Sequence, residues 1–269
     1  MTERFPLPRG LVEAAERFYA TGREPAPPRW AATVVLLRPA GTGFEVYAIQ
    51  RAATMAFAAN MYAFPGGTVD PRDSATEPGW AGPSPLEWAV RLGLDEPTAR
   101  AVVCAAVREV FEESGVLLAG PDPATVVGDV SGDDWEAARV ALVAREVGFA
   151  ELLAARGLVL RTDLLAPWAR WLTPEFEPRR YDTYFFLARL PVGQVTRDVG
   201  GEAAHVTWAG PGELADGPAV MLPPTRVTLR QLAAYSTVDD AMAGAAGRDT
   251  RTVVMPRIEL GDPPTLLIR

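Results

Sequence analysis

Apolar and polar positions along the chain divide it into recognisable elements. "AATVVLLRP" and "FEVYAIQR" are rich in β-branched and aromatic residues and flank the turn "AGTG", which predicts a β-hairpin. Residues 8–20 carry a helical period, and the Pro-rich "GREPAPPRW" leads from them into the hairpin. "MYAFPGGTVD" reads as a short strand ending in a glycine loop. A short helix is predicted at "PLEWAVRLG", within a Pro- and Gly-rich stretch that reads as packed on the surface. A long helix then runs to Gly115, with Asp95 or Glu96 as its cap and Pro97 in its first turn. Residues 133–156 read as two helices, "YDTYFFLARLP" and "AAHVTWA" as strands. "PPTRVTLRQLAAYSTVDDAMAGA" reads as one capped helix and "TVVMPRIEL" as a final strand. Neither an internal repeat nor a low-complexity linker interrupts this order, so residues 1–269 read as one α/β domain with helical insertions.

The long helix ends in "REVFEESGV", Arg108 to Val116. Residues three and four apart share a helix face, so Glu109, Glu112 and Glu113 crowd like charge into one patch. Arg108 neutralises part of it. The remaining partner is either solvent, as for most acidic runs, or a divalent cation held by hard oxygen ligands. Val103, Val107, Val110 and Phe111 form an apolar stripe on the same helix. Upstream, "FPGG" offers backbone that approaches a ligand closely.

Composition narrows the chemistry. The chain has 48% hydrophobic and 22% charged residues, ordinary for a globular protein. A net charge of −8 argues against broad phosphate-backbone contacts with nucleic acid. All basic side chains are arginine, which excludes Schiff-base lysine chemistry and a GxxxxGK[ST] phosphate loop. One histidine, His205, excludes a site with two histidine ligands within the chain; a structural role is expected for it. The single Cys104 falls in an apolar helical segment, where buried and inert is the expectation, and it fits a reducing cytoplasm. No apolar run is long enough to span a bilayer, and the start of the chain lacks a signal-peptide pattern.

Taken together, "FPGG" and "REVFEESGV" resemble the signature of the Nudix hydrolases: Gly, five residues, Glu, seven residues, then Arg-Glu-apolar-x-Glu-Glu-x-Gly-apolar. The second half is complete in Arg108, Glu109, Val110, Glu112, Glu113, Gly115 and Val116. The first half departs: 40 residues, not 13, separate Gly67 from Arg108, and Arg100 stands where the signature glutamate would be. Asp73, six after Gly67, receives no role in this reading. The split resembles the coenzyme A diphosphatases of the mammalian peroxisomal type, as do "QRAATMAFAANMYAFPGG", "WLTPEFEPRRYDTYFF" and "LPPTR". The chain stops at "LLIR", without that branch's peroxisomal ending, which favours a cytoplasmic relative.

The resemblance implies an α/β/α sandwich with a mixed β-sheet, an insertion at about 70–96 inside the signature and a helical insertion at about 120–165. It implies a metal-dependent hydrolase cleaving a nucleoside diphosphate linked to another group, coenzyme A or acyl-CoA foremost. ADP-ribose, dinucleotides or nucleoside triphosphates are the alternative substrates, and a non-catalytic binding protein is the alternative class. Glu109, Glu112, Glu113 and the Gly66 carbonyl would hold Mg2+ or Mn2+; Arg108 would orient a glutamate. Glu202, six before Trp208, is the candidate base. Arg51, Arg180 and the Gly67 backbone are candidates for substrate contact, with Arg180 favoured over Arg179 for the coenzyme's 3′-phosphate. Tyr181 and Trp171 are candidates for base stacking, whereas Phe185 is expected in the core. The partners implied are a small nucleotide-diphosphate substrate and a homodimer mate, with no nucleic acid and no membrane.

Overall fold

The computed structural model describes residues 3–53, 58–75, 77–198, 203–259, 261 and 263–268. The first part of the chain forms β1 (Glu3–Pro6), α1 (Arg9–Thr21), β2 (Arg29–Ala40), β3 (Gly43–Arg51), β4 (Tyr62–Ala63) and β5 (Gly66–Thr68). The signature region follows as α2 (Arg72–Ala75), β6 (Gly79–Ala81), α3 (Pro85–Leu92) and α4 (Glu96–Ser114). Next come β7 (Ala119–Gly120), α5 (Asp133–Val143), α6 (Phe149–Ala155), β8 (Val159–Arg161), β9 (Leu165–Leu172) and β10 (Tyr181–Arg189). The C-terminal part holds β11 (Ala203–Ala209), α7 (Pro211–Asp216), α8 (Pro223–Leu232), α9 (Val238–Ala245), β12 (Val253–Val254), β13 (Arg257–Glu259) and β14 (Thr265–Ile268).

The central sheet runs β11-β3-β2-β10-β9-β12, with β4 beside β3 and β5 beside β2. It is mixed, as expected: β2 pairs with β10 in parallel and with β3 and β5 in antiparallel fashion. Alternation along the strands creates two buried faces. Ala32, Val34 and Leu36 join Tyr184 and Phe186 under α4, while Val35 and Leu37 join Phe185 and Leu187 against α8 and α9. This is the expected α/β/α sandwich, and Phe185 lies in its core.

Several elements differ from their sequence expectations. The C-terminal helix is two helices, because Thr237 caps α9 by accepting from Asp240 N, ending the run begun by α8. Pro256 divides the last strand into β12 and β13. The Gly-Gly turn is itself strand: Gly66 and Gly67 pair with Thr33 and Ala32. The surface reading of the box insertion is overturned. Trp88 and Leu92 of α3 are fully buried in the α4-side core, and Tyr184 Oη donates to Leu92 O at 2.8 Å. The two insertions are also joined, since β6 pairs with β8, which pairs with β7.

Candidate active site

Helix α4 begins where Asp95 accepts from Thr98 N and ends at Gly115, whose φ of 70° is the left-handed turn that glycine adopts without strain. It is not a one-sided amphipathic helix. From Ala101 to Phe111 every residue is buried, Arg108 and Glu109 included. The solvated-face reading of the acidic patch therefore fails at Glu109, which is only 8% exposed. Cys104 is buried on this helix, and burial pushes its thiol well above the usual range, as expected for an inert cysteine.

Arg108 organises the patch. Its Nη1 donates to Glu109 Oε1 at 2.8 Å and to Glu112 Oε1 at 3.0 Å. Nε and Nη2 grip Asp73 at 2.9 and 3.0 Å, and Nη2 also donates to Thr68 O at 2.9 Å. Asp73, given no role from sequence, is thus a correction: it is 2% exposed and positions Arg108. The counting clue was present, because Asp73 stands where Gly-x5-Glu places its acid. The extra residues follow Asp73, and Arg100 pairs instead with Glu77 in the insertion.

The third glutamate is held by the glycines. Gly66 N donates to Glu113 Oε2 at 2.8 Å. Val34 N bonds Pro65 O and Val69 N bonds Trp30 O, which makes Thr33–Gly66 a pair without ladder hydrogen bonds. Both polar groups of Gly66 therefore point away from β2, and its carbonyl is not used by that ladder. Gly67 leaves room for the Glu109 carboxylate, since a Cβ at 67 would sit 2.4 Å from Glu109 Oε1 and push it aside.

Burial drives the Glu109 carboxyl above its usual range, and the Glu112 charge adds to the effect; Arg108 does not offset both. Glu112 is raised too, again by burial first. Among the described residues, no three acidic groups already converge at coordinating distance. The donor set still fits a hard divalent cation. Two desolvated carboxylates share one arginine nitrogen, a third lies beside Gly66, and a carbonyl is left outside its ladder.

The other sequence candidates spread out. Glu202 lies outside the described residues. Asp198, on the same approach to β11, was missed by sequence reasoning. Burial first, then Asp198 and Glu113, hold the Tyr47 hydroxyl well above its usual range, so both carboxylates act on one ring. Arg51 ends β3 opposite Ala203. Arg180 is a correction: it is 8% exposed and donates to Thr173 O at 3.1 Å and Ala26 O at 3.0 Å, so it braces backbone rather than presenting an open cation. Trp171 is buried in the core on the α8–α9 side, away from a stacking role. Tyr181 begins β10, half-buried, and His205 is exposed on β11.

A mixed-sheet sandwich carrying this glycine–glutamate–arginine arrangement on α4 is a Nudix fold, and the chain is similar to the Nudix hydrolases. The NUDT19 Nudix domain family matches residues 89–219. The acyl-coenzyme A diphosphatase NUDT19 of Gallus gallus is 27% identical over 240 residues, covering 73% of this chain and 63% of that protein. Its Homo sapiens counterpart is 26% identical, covering 83% of this chain and 74% of that protein. The chain thus spans less than two thirds of the avian relative. Among solved structures, a NUDIX hydrolase from Alicyclobacillus acidocaldarius superposes with a TM-score of 0.68 at 27% identity, covering 81% of this chain and 96% of that one.

Proposed function

We propose that the protein hydrolyses the diphosphate of coenzyme A or its acyl esters. The observation that carries the reading is the shared grip of Arg108 on Glu109 and Glu112 beside the Gly66–Glu113 contact. Similarity to acyl-coenzyme A diphosphatases supports the substrate class.

In this reading Glu109, Glu112, Glu113 and the Gly66 carbonyl hold magnesium or manganese. The ion supplies charge to the diphosphate oxygens and lowers the pKa of a water. Arg108, fixed by Asp73, keeps Glu109 and Glu112 side by side. Gly67 leaves room for the Glu109 carboxylate. Glu202 is the proposed proton acceptor, and Arg51, at the end of β3, the proposed diphosphate contact. A cytoplasmic setting and a homodimer belong to the same proposal; the lone, inert Cys104 suits the first.

The test is a panel of coenzyme A, acyl-CoA, dephospho-coenzyme A, ADP-ribose, a dinucleotide and a nucleoside triphosphate, with magnesium or manganese, products identified by mass. The expected products from coenzyme A are adenosine 3′,5′-bisphosphate and 4′-phosphopantetheine, with turnover lost in Glu112→Gln although the fold persists. Turnover of ADP-ribose without turnover of coenzyme A would replace the substrate, and full activity in Glu112→Gln would remove the site.

A further inference from the structure

A pocket of about 460 Å3 opens beside the glutamate site, lined by Pro28, Arg29, Trp30, Thr68–Pro71 and Arg145. Its size falls within the roughly 300–1,000 Å3 of small-ligand sites. The sheet register fixes where it lies. Ala32 pairs with Gly67, which seats the Glu109 carboxylate. Trp30 is two residues earlier on β2, hence on the same face and about 7 Å along the strand. Thr68, in the opposite wall, gives its carbonyl to Arg108. The pocket is therefore the next compartment along the sheet from the carboxylates.

Its walls have a definite chemistry. Trp30 is held against Tyr184, ring centroids 6.3 Å apart, and with Pro28 and Pro71 makes flat apolar surface. Two cations stand at the rim. Arg29 is exposed, and among the described residues it has no ion pair. Arg145 has a side chain 75% exposed, with Nε 3.8 Å from Asp70. Asp70 is mainly engaged by Arg72, whose Nε and Nη2 both donate to it at 3.0 Å.

The backbone holds Arg145 in place at this rim. Its φ is 62°, a left-handed conformation that costs a side chain about 1–2 kcal/mol and that glycine would adopt freely. The surroundings enforce it: Arg145 N donates to Leu142 O at 2.9 Å, and Arg72 Nη1 donates to Arg145 O at 3.0 Å. Glu146 N donates to Ala141 O as well, so this is the left-handed cap that ends α5, and it sets Arg145 at the pocket rim. Arg180 contributes from behind. It fastens Ala26 with its side chain and Arg29 N with its carbonyl, so the arginine expected to read a phosphate instead anchors the strand that presents Arg29.

We infer that this pocket takes the nucleotide half of the substrate and that Arg29 and Arg145 read a phosphate on its ribose. The inference rests on the coenzyme A diphosphatase reading. Two arginines suit a dianionic phosphate, whereas an acyl-pantetheine arm has no charge to meet them.

The test is calorimetric titration of the full chain, magnesium present, with adenosine 3′,5′-bisphosphate and with adenosine 5′-monophosphate. Neither contains a diphosphate, so neither is a substrate for hydrolysis. The wild type is expected to bind the bisphosphate at least about tenfold tighter. Arg29→Ala and Arg145→Gly should each shrink that preference about tenfold. Glycine keeps the left-handed turn at 145, so the Arg145→Gly protein should melt at or above the wild-type temperature. Equal binding of the two nucleotides by the wild type, or an undiminished preference in both variants, overturns the inference. Coenzyme A turnover without nucleotide discrimination rejects the pocket alone. A panel without coenzyme A turnover rejects the substrate reading, while the titration still decides the pocket.

Discussion

Arg108 and Asp73, 35 residues apart in sequence, form a buried two-pronged ion pair, with Nε and Nη2 at 2.9 and 3.0 Å from the carboxylate oxygens. Asp70 N donates to the same carboxylate at 2.9 Å, so the loop after β5, the start of α2 and the glutamate-bearing end of α4 meet in one knot. Arg108 is thereby fixed before it touches Glu109 or Glu112.

Removing Asp73 leaves Arg108 as a buried charge short of its main partner. Breaking a buried pair from one side typically costs about 3–5 kcal/mol. Asp73→Ala should lose that much stability in urea unfolding. The double variant Asp73→Ala/Arg108→Met should lose less than the sum of the two single changes, because the stranded charge is gone. Additive losses would mean that the two side chains are energetically independent.

The glutamates give metal-free stability a pH dependence of definite sign. Burial raises the Glu109 and Glu112 carboxyls above the ordinary value of 4.5. A raised folded-state pKa favours the folded state at low pH, and that advantage is lost as pH climbs through the folded value. In EDTA, stability should therefore fall between about pH 4.5 and neutrality, by on the order of 1–3 kcal/mol. Glu109→Gln should flatten the slope, and magnesium should raise the wild-type melting temperature most at the upper end. Thermal melts across this range in EDTA and in magnesium check it; stability rising with pH in EDTA is the contrary result.

Gly67 and Glu109 occupy one volume between them. Since a Cβ at 67 meets the carboxylate at 2.4 Å, Gly67→Ala must displace Glu109 or the strand. The expected cost is about 1–3 kcal/mol, the range for overpacking, together with a loss of turnover. Glu109→Ala in the same background should recover the stability and not the activity. Equal instability in the two proteins would place the clash elsewhere.

What the sequence made legible was local. The β2–β3 hairpin follows from β-branched runs around a turn, and the ends of α4 follow from Asp95, Pro97 and Gly115 within a few residues of the helix. The glutamate patch follows from helical spacing. What escaped depends on tertiary placement. Asp73 meets Arg108 only once α2 packs on α4. Arg180 stands before β10 begins, so strand alternation could not aim it, and two carbonyls brought by the fold claim it. β1 and β14, from opposite ends of the chain, pair without any local signal.

The insertion after Asp73 makes the strongest test of the difference. Its composition, rich in Pro and Gly, reads as a stretch packed on the surface. In the structure Trp88 is fully buried and meets Phe186 edge-on, centroids 5.9 Å apart. Leu92 is also fully buried, and its carbonyl accepts the Tyr184 hydroxyl, so α3 covers the sheet alongside α4. The insertion is therefore part of the core that holds α4 in place. Truncating a buried tryptophan typically costs about 3–5 kcal/mol, a large part of the ~5–15 kcal/mol total of a small protein. Trp88→Ala should melt well below the wild type, and replacing residues 74–95 with a tight linker should abolish cooperative unfolding. Circular dichroism melts of both proteins decide the matter. A shortened chain that unfolds cooperatively near the wild-type temperature would return the insertion to the surface.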